Sequence, residues 1–386
     1  MTSSTDTAGL PTAALDYELD SSLIATTPAS PRDGARMLVF HRAADRVEHR
    51  LVSDLPDYLL PGSAMVVNET RVAPLRFVAR RRRDGRLTEG LFLVAAGEGW
   101  WEILLRGARR FRTGDELDLL APGDEAPHGD AIEIRQTDAR VWQARFLGGV
   151  AAATGWQRSG RTPLPPYILE ARRLRHEADP GESRDRADYQ TVFAAPGSGS
   201  SLPSCAAPTA GLHFTRELLA EIERRGVGRV AVELQVGPGT FKPVESERLS
   251  DHAMHEERCI IRARTAVQLA AWDPAVSLVV GTTSVRCLES ISRPLPAPML
   301  ERARSAIAQG DPSREVEAFG TRLLITPGFE FLWTHRLLTN FHLPRSTLLA
   351  LVGGLVGLDR LKSLYALAQR ERYRFYSLGD AMLILP

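Results

Sequence analysis

Between about Ala73 and Leu147 the chain strings together the strand-like runs LRFVARR, TEGLFLVAA, WWEILLR, DELDLLA, AIEIRQ and VWQARFL, with little more than Gly and Asp turns between them. Short runs at close spacing, with no helical template of useful length among them, are the pattern of a small antiparallel β-barrel. The flanks read differently. Upstream, MLVFHRAADRVEHRLVSDLPDYLLPGSAMVVNETRV breaks into short strands at turns near Asp45-Arg46 and Pro61-Gly62. From Thr162 onward strands and helices alternate.

That alternation predicts an α/β fold with a mixed, largely parallel sheet. FTRELLAEIERRG is a helix N-capped by Thr215, with Leu218, Leu219 and Ile222 on one face and Gly226 at its end, and it leads into an alternating strand. SLVVGTTSVRCLESI is an apolar strand, a polar turn and a helix, and LLTNFHLPRSTLLALV repeats the arrangement with Ser346 as the second helix's N-cap. The expected organisation is a disordered leader over 1–14, a discontinuous α/β catalytic domain over 15–72 and 156–386, and the barrel inserted at 73–155. Ala171–Pro203 and Arg293–Gly320, rich in Pro, Gly and Arg, read as loops or partly disordered insertions.

Three widely spaced cysteines, Cys205, Cys259 and Cys287, match no zinc spacing and argue against a disulfide framework. The N-terminus lacks the basic and apolar regions of a signal peptide. The longest apolar run, Leu348 to Leu358, is interrupted by glycines and falls short of the ~20 residues that span a bilayer. A soluble cytoplasmic protein with no membrane partner is expected. Lys242 and Lys362 are the only lysines, so arginine abundance by itself says little about nucleic acid.

Polar residues gather at the strand-to-helix turns: Thr282, Thr283 and Arg286; Thr339, Asn340, His342 and Ser346; Thr209 and His213. In open α/β sheets ligands bind beyond the carboxyl ends of the strands, where helix N-termini offer free N–H groups, so these turns point to one shared pocket. Gly237, Gly239 and Thr240 of VGPGT allow a backbone to approach a ligand closely. A single helix-start Ser or Thr is more often a cap than a contact, so the functional reading rests on several turns acting together. His252 and His255, with Cys259 as a third ligand, lack a second pair to complete a tetrahedral metal site. The run Arg80, Arg81, Arg82, Arg83 is either a solvated hairpin or a contact for RNA phosphates.

The blocks LDYELDSSLIA, PRDGARMLV, PGSAMVVNETRVAP, PLPPYI, DYQTVFA, AAPTAGLHFT, VGPGTFKPV, VGTTSVRCLES, LLTNFHLPRSTLLALV and YRFYSLGDAML resemble, in order, those of the S-adenosylmethionine:tRNA ribosyltransferase-isomerases of queuosine biosynthesis. The resemblance implies transfer and isomerisation of the ribosyl part of S-adenosylmethionine onto 7-aminomethyl-7-deazaguanine in the tRNA wobble position. Epoxyqueuosine, adenine and methionine would be the products. It implies S-adenosylmethionine as co-substrate with no further cofactor and no metal. His213 and His342 are the expected acid–base groups, with Asp380 as orienter or alternative base. Thr282, Thr283, Arg286 and Asn340 would hold the donor's carboxylate and ribose, together with Thr209, Ser346 and the Gly237–Thr240 turn. Arg71 and the barrel arginines Arg80–Arg83 would grip tRNA.

The chain departs from the family pattern at Gln235, where the family has His, and at Leu378, Arg322, Leu324 and Thr26. Two competing readings follow: a divergent paralogue using S-adenosylmethionine on a free deazapurine or another RNA, and a non-catalytic RNA- or nucleoside-binding module. The presence of His213, Asn340, His342 and Asp380 argues against the second.

Overall fold

A computed structural model describes residues 9–123, 127–138, 141–194, 204–237 and 244–386. In chain order the strands β1 (Arg36–His41), β2 (Arg46–Leu51) and β3 (Ala64–Asn68) are followed by β4 (Arg76–Arg81), β5 (Leu87–Gly97), β6 (Trp100–Leu105), β7 (Glu116–Leu120), β8 (Pro127–Asp138) and β9 (Val141–Phe146). Helices α1 (Ala152–Ser159), α2 (Pro166–Leu174), α3 (Glu182–Asp188) and α4 (Arg216–Arg224) come next, then β10 (Gly228–Leu234), β11 (Glu257–Arg262), α5 (Ala263–Ala270), β12 (Leu278–Val280) and α6 (Thr282–Glu289). The chain closes with α7 (Ala297–Ala308), β13 (Glu315–Thr321), β14 (Leu337–Asn340), α8 (Thr347–Val356), α9 (Leu358–Arg370) and β15 (Ala381–Leu385).

Strands β4 to β9 close into the expected antiparallel barrel, in the order β4-β5-β6-β9-β8-β7. Its interior is aromatic: Phe92 lies 5.1 Å from Phe77 and 5.6 Å from Phe146, centroid to centroid. Trp156 of α1 joins them, its ring edge-on to Trp101 at 4.6 Å. A buried tryptophan is among the largest apolar contributions a side chain can make, so α1 belongs to this core. The compact unit accordingly runs over Arg71–Gln190 and Gly197–Ala207, well beyond the expected boundary at 155. Its two ends are tied where the Gln190 amide exchanges hydrogen bonds with the Val72 backbone at 3.2 and 3.0 Å. The Ala171–Pro203 stretch, expected as loop, holds α3, which a buried Arg172–Asp185 pair at 2.8 Å fastens to α2. Residues 195–203 lie outside the described set.

The other unit comprises residues 1–70, 191–196 and 208–386 and is built on a mixed sheet ordered β13-β11-β10-β3-β12-β14-β15-β1-β2. Neighbours from β10 to β14 run parallel, as do β15 and β1, while the edges and the β14/β15 pair are antiparallel. The middle of the sheet is thus covered on both faces and its strands are continuous apolar runs, as in Leu278–Val280. Arg293–Gly320, expected as loop, instead carries α7 and most of β13. Proline opens the first turn of α7, and Met299, Ala303 and Ala306 form its buried stripe. Leader residues 9–14 are also ordered: Thr12 and Leu15 are buried in a 3-10 turn whose Thr12 N–H donates to the Glu247 carbonyl at 2.8 Å. Residues 1–8 lie outside the described set.

Candidate active site

The polar turns converge at the carboxyl ends of the central strands. β12 ends at Val280 beside Leu338 of β14, and the N–H of Gly281 continues the ladder to the Leu338 carbonyl at 2.8 Å. Gly281 has φ of 85°, so the sharp entry into α6 favours glycine. Thr282 and Thr283 follow it, both buried, and the first amides of α6 open at the strand end. Next to them Asn340 terminates β14.

Asn340 is the hub. Its Nδ2 donates to the Tyr376 carbonyl at 3.1 Å and lies 3.2 Å from Nε2 of His213, while Oδ1 accepts from the Thr209 hydroxyl at 3.2 Å. His213 and Thr209 sit on the 3-10 turn Thr209–His213. His342 Nε2 lies 2.9 Å from the Thr339 hydroxyl. Its backbone is clasped between two phenols: the His342 N–H donates to Tyr365 Oη at 2.9 Å, and Tyr17 Oη donates to the His342 carbonyl.

Burial holds both imidazoles neutral. The pKa of His213 is lowered to about 4, first by desolvation and then by the charges of Arg374 and Arg32. That of His342 is lowered to about 3 by desolvation. In this state each is an acceptor or a neutral donor rather than an imidazolium.

Other expected site residues have structural partners. The Ser346 hydroxyl accepts from the Leu349 N–H at 3.1 Å and donates to the Leu343 carbonyl at 2.7 Å, which spends it on capping α8. Asp380 touches neither histidine. Its carboxylate accepts from the backbone N–H of Arg374 at 2.7 Å and of Arg36 at 3.1 Å, and pairs with the Arg374 guanidinium at 3.2 Å. After burial, the charge of the same Arg374 is what lowers the His213 pKa. Arg286 pairs with buried Glu257, whose other oxygen accepts from the Gly237 N–H at 3.0 Å. Its Nε donates to the Leu323 carbonyl at 3.1 Å, and its buried Nη2 has no partner among the described residues. Gly239 and Thr240 lie outside the described residues.

Sequence reasoning passed over several of these groups. Asn68 ends β3 as Asn340 ends β14; it brackets Leu234 by accepting its N–H at 3.2 Å and donating to its carbonyl at 2.9 Å, and reaches Thr283 at 3.4 Å. The same polar-residue-at-strand-end signal marks both asparagines. Tyr376 left no such signal: its φ of 72° turns its carbonyl towards Asn340, a conformation that costs a bulky residue roughly 1–3 kcal/mol. Tyr17, Tyr365 and Glu257 were also passed over.

Of the arginines expected to meet tRNA, Arg81 is turned inward. It is 3% exposed and paired with Asp84 and Asp115, because it continues the interior-facing alternation of Phe77 and Ala79 along β4. Arg82 is paired with Glu116 and Asp118, and Arg83 with Asp115. Arg80 is half-buried and Arg71 is exposed. Among the described residues no group of three His, Cys, Asp or Glu side chains is placed to hold a metal ion, and no helix is long and apolar enough to cross a membrane. A cavity of about 590 Å³ around Trp272 and Trp333 contains none of the polar-turn residues.

The model of the family described as "Queuosine biosynthesis protein" matches residues 12–384. This chain belongs to that family. Among its curated relatives, the S-adenosylmethionine:tRNA ribosyltransferase-isomerase of Rubrobacter xylanophilus is 41% identical, with 96% of each chain aligned. The protein of the same name from Symbiobacterium thermophilum is 38% identical over 96% of this chain and 98% of its own. A crystal structure of S-adenosylmethionine tRNA ribosyltransferase from Thermotoga maritima aligns with 96% of this chain and 100% of its own at 30% identity and a TM-score of 0.48. Of this queuosine biosynthesis family member's departures, the Gln235 N–H donates to the Arg258 carbonyl at 2.9 Å, and Leu378 is buried two residues before Asp380.

Proposed function

We propose that this chain is an S-adenosylmethionine:tRNA ribosyltransferase-isomerase. The observation that carries the reading is the end-to-end match to relatives of that name, at 41% identity over 373 residues. The acceptor is the aminomethyl group of a 7-deazaguanine in the tRNA wobble position, and the products are epoxyqueuosine, adenine and methionine.

The geometry supports a division of labour. The sulfonium of the donor acidifies the carbon beside it, and a neutral imidazole is needed to take that proton. We assign that role to His342, which is fixed from both sides of its backbone and hydrogen-bonded through Nε2. His213 starts neutral as well; held by Asn340, it orients the donor and stays available for proton exchange with the departing adenine. Positioned acid–base groups of this kind contribute ~10²–10⁴-fold each. Asn340, Thr209, Thr282 and Thr283 contact the ribose and the donor's polar ends. The spare Nη2 of Arg286 takes the donor carboxylate, an interaction stronger than a neutral hydrogen bond.

The test is chromatography of the products released from S-adenosylmethionine and a tRNA bearing the aminomethyl base. Adenine and methionine together are expected. S-adenosylhomocysteine in their place would show methyl transfer and overturn the reading.

A further inference from the structure

Beside the consecutive run the barrel carries a cluster of arginines that its own carboxylates leave unpaired. Asp84, Asp115, Glu116 and Asp118 are all taken up by Arg81, Arg82 and Arg83. Four exposed guanidinium groups, on Arg86, Arg109, Arg110 and Arg112, have no carboxylate within 4.0 Å among the described residues. They occupy two turns at one end of the barrel: the hairpin between β4 and β5, and the loop between β6 and β7.

The paired arginines join these two turns. The Arg81 N–H donates to the Arg86 carbonyl at 2.9 Å, which closes the hairpin. The buried Arg81 guanidinium donates to the Arg110 carbonyl and lies over the Phe111 ring at 4.7 Å. Arg83 reaches the same carbonyl at 3.2 Å, and the Arg112 N–H donates to Asp115 at 3.0 Å. The loop backbone is thus fastened from beneath while the side chains of Arg109, Arg110 and Arg112 stay exposed. An arginine rim held ready in this way binds anions without first having to order its backbone.

We propose that this rim, Arg86 with Arg109, Arg110 and Arg112, is the docking surface for the phosphates of the tRNA substrate; the proposal rests on the ribosyltransferase reading. Charge complementarity selects the occupant: clustered exposed guanidiniums that form no ion pair among the described residues match a polyphosphate backbone, and each phosphate neutralised releases counterions. The carboxylates that could have repelled RNA are consumed by Arg81, Arg82 and Arg83, which act as scaffolding.

Filter binding of tRNA between about 50 and 200 mM salt tests this, on the wild type, the triple variant Arg109→Gln/Arg110→Gln/Arg112→Gln and the single variants Arg86→Gln and Arg109→Gln. Each lost phosphate contact makes the log–log salt slope shallower by ~0.7–0.9 and weakens low-salt binding several-fold. The triple variant is expected to lose about two to three units of slope and to raise KM for tRNA, with KM for S-adenosylmethionine and the melting temperature unchanged. Arg304→Gln, an exposed charge on α7, is expected to change nothing. The single variants decide the matter if the triple variant misfolds. If the wild type turns over and the variants keep its slope and KM, the rim is overturned while the ribosyltransferase reading stands. Release of the variants from anionic lipid vesicles with an unchanged tRNA slope overturns it in favour of a membrane. If the wild type binds tRNA steeply and the variants flatten that slope, yet no adenine is released, the catalytic reading fails and the rim stands.

Discussion

The side-chain amide of Asn340 faces Nε2 of His213 at 3.2 Å, across 127 residues of sequence, and this one contact fixes the tautomer of the histidine. The Tyr376 carbonyl can only accept, so the amide edge facing it at 3.1 Å must be Nδ2; the Thr209 hydroxyl then donates to Oδ1. Both hydrogens of Nδ2 are accounted for by Tyr376 and His213. Nε2 therefore carries the lone pair and Nδ1 the proton.

Replacing that donor with an acceptor should invert the histidine. In Asn340→Asp a carboxylate faces Nε2, and a nearby negative charge favours the imidazolium. Nitrogen-detected NMR is expected to show His213 Nε2 unprotonated in the wild type at pH 6 and protonated in the variant. Nε2 protonated in the wild type at that pH would overturn the tautomer assignment.

The same burial makes stability depend on pH. Both histidines have folded-state pKa values, about 4 and about 3, below the ordinary 6.5 that they regain on unfolding. Below 6.5 the unfolded chain binds protons that the folded chain refuses, so stability falls as pH drops from about 6.5 towards 4. Urea unfolding across this window is expected to show a slope that shrinks in His213→Gln and again in His213→Gln/His342→Gln. A slope unaltered by both substitutions would place the titration elsewhere.

The barrel strands and the caps Thr215 and Ser346 were legible because each depends on local rules: a period of two for the strands, and a short oxygen before an apolar stripe for the caps. Helix α7 was not, because its buried stripe consists of Met299 and two alanines in an Ala/Arg-rich segment, so the apolar period barely registers. Thr209, His213, Asn340 and His342 were picked out as residue types at strand ends. Their wiring was not legible, since it joins turns more than a hundred residues apart and passes through the carbonyl of Tyr376, whose conformation no sequence rule announces. Arg81 misled for a simpler reason. A run of like charges was read as one surface, although neighbours on a strand face opposite ways.

Arg81 and Arg82 should consequently fail differently. Removing the buried Arg81 guanidinium breaks its pair with Asp115 and its bond to the Arg110 carbonyl, while Asp115 keeps Arg83 and the Arg112 N–H, so the loss is about 1–3 kcal/mol. The exposed pairs of Arg82 are worth about 0–1 kcal/mol. Chemical denaturation of Arg81→Gln and Arg82→Gln is expected to reproduce that contrast; equal losses would sink the view of Arg81 as scaffold.

The two phenols around His342 give a graded test of positioning. Tyr17→Phe removes the donor to the His342 carbonyl, and Tyr365→Phe removes the acceptor of its N–H. Each leaves a backbone group of His342 without its partner and is expected to cost about 1–3 kcal/mol of stability. If they aim the imidazole, each also lowers the single-turnover rate while leaving KM for S-adenosylmethionine near wild type. Loss of stability with an unchanged rate would make the clasp purely structural.

Chemistry and binding separate most cleanly at the end of β14. A group that moves a proton acts in the transition state, so His342→Ala should lower the single-turnover rate by ~10²–10⁴-fold while donor affinity changes little. Asn340→Ala should do the reverse. It strips partners from Thr209, His213 and the Tyr376 carbonyl at once, and buried polar groups left unpaired cost about 1–3 kcal/mol. That loss falls on donor affinity where Asn340 holds the ribose, and on melting temperature where it only wires the turns together. Calorimetric binding of S-adenosylmethionine, rapid-quench turnover and thermal melting on both variants distinguish these cases. The neutral state of His342 adds a condition: with its pKa near 3, the wild-type rate should not fall on the acid side until well below pH 6 through this group. If His342→Ala turns over at the normal rate, proton removal passes to His213, and the opening of the His213–Asn340 contact becomes the step to follow.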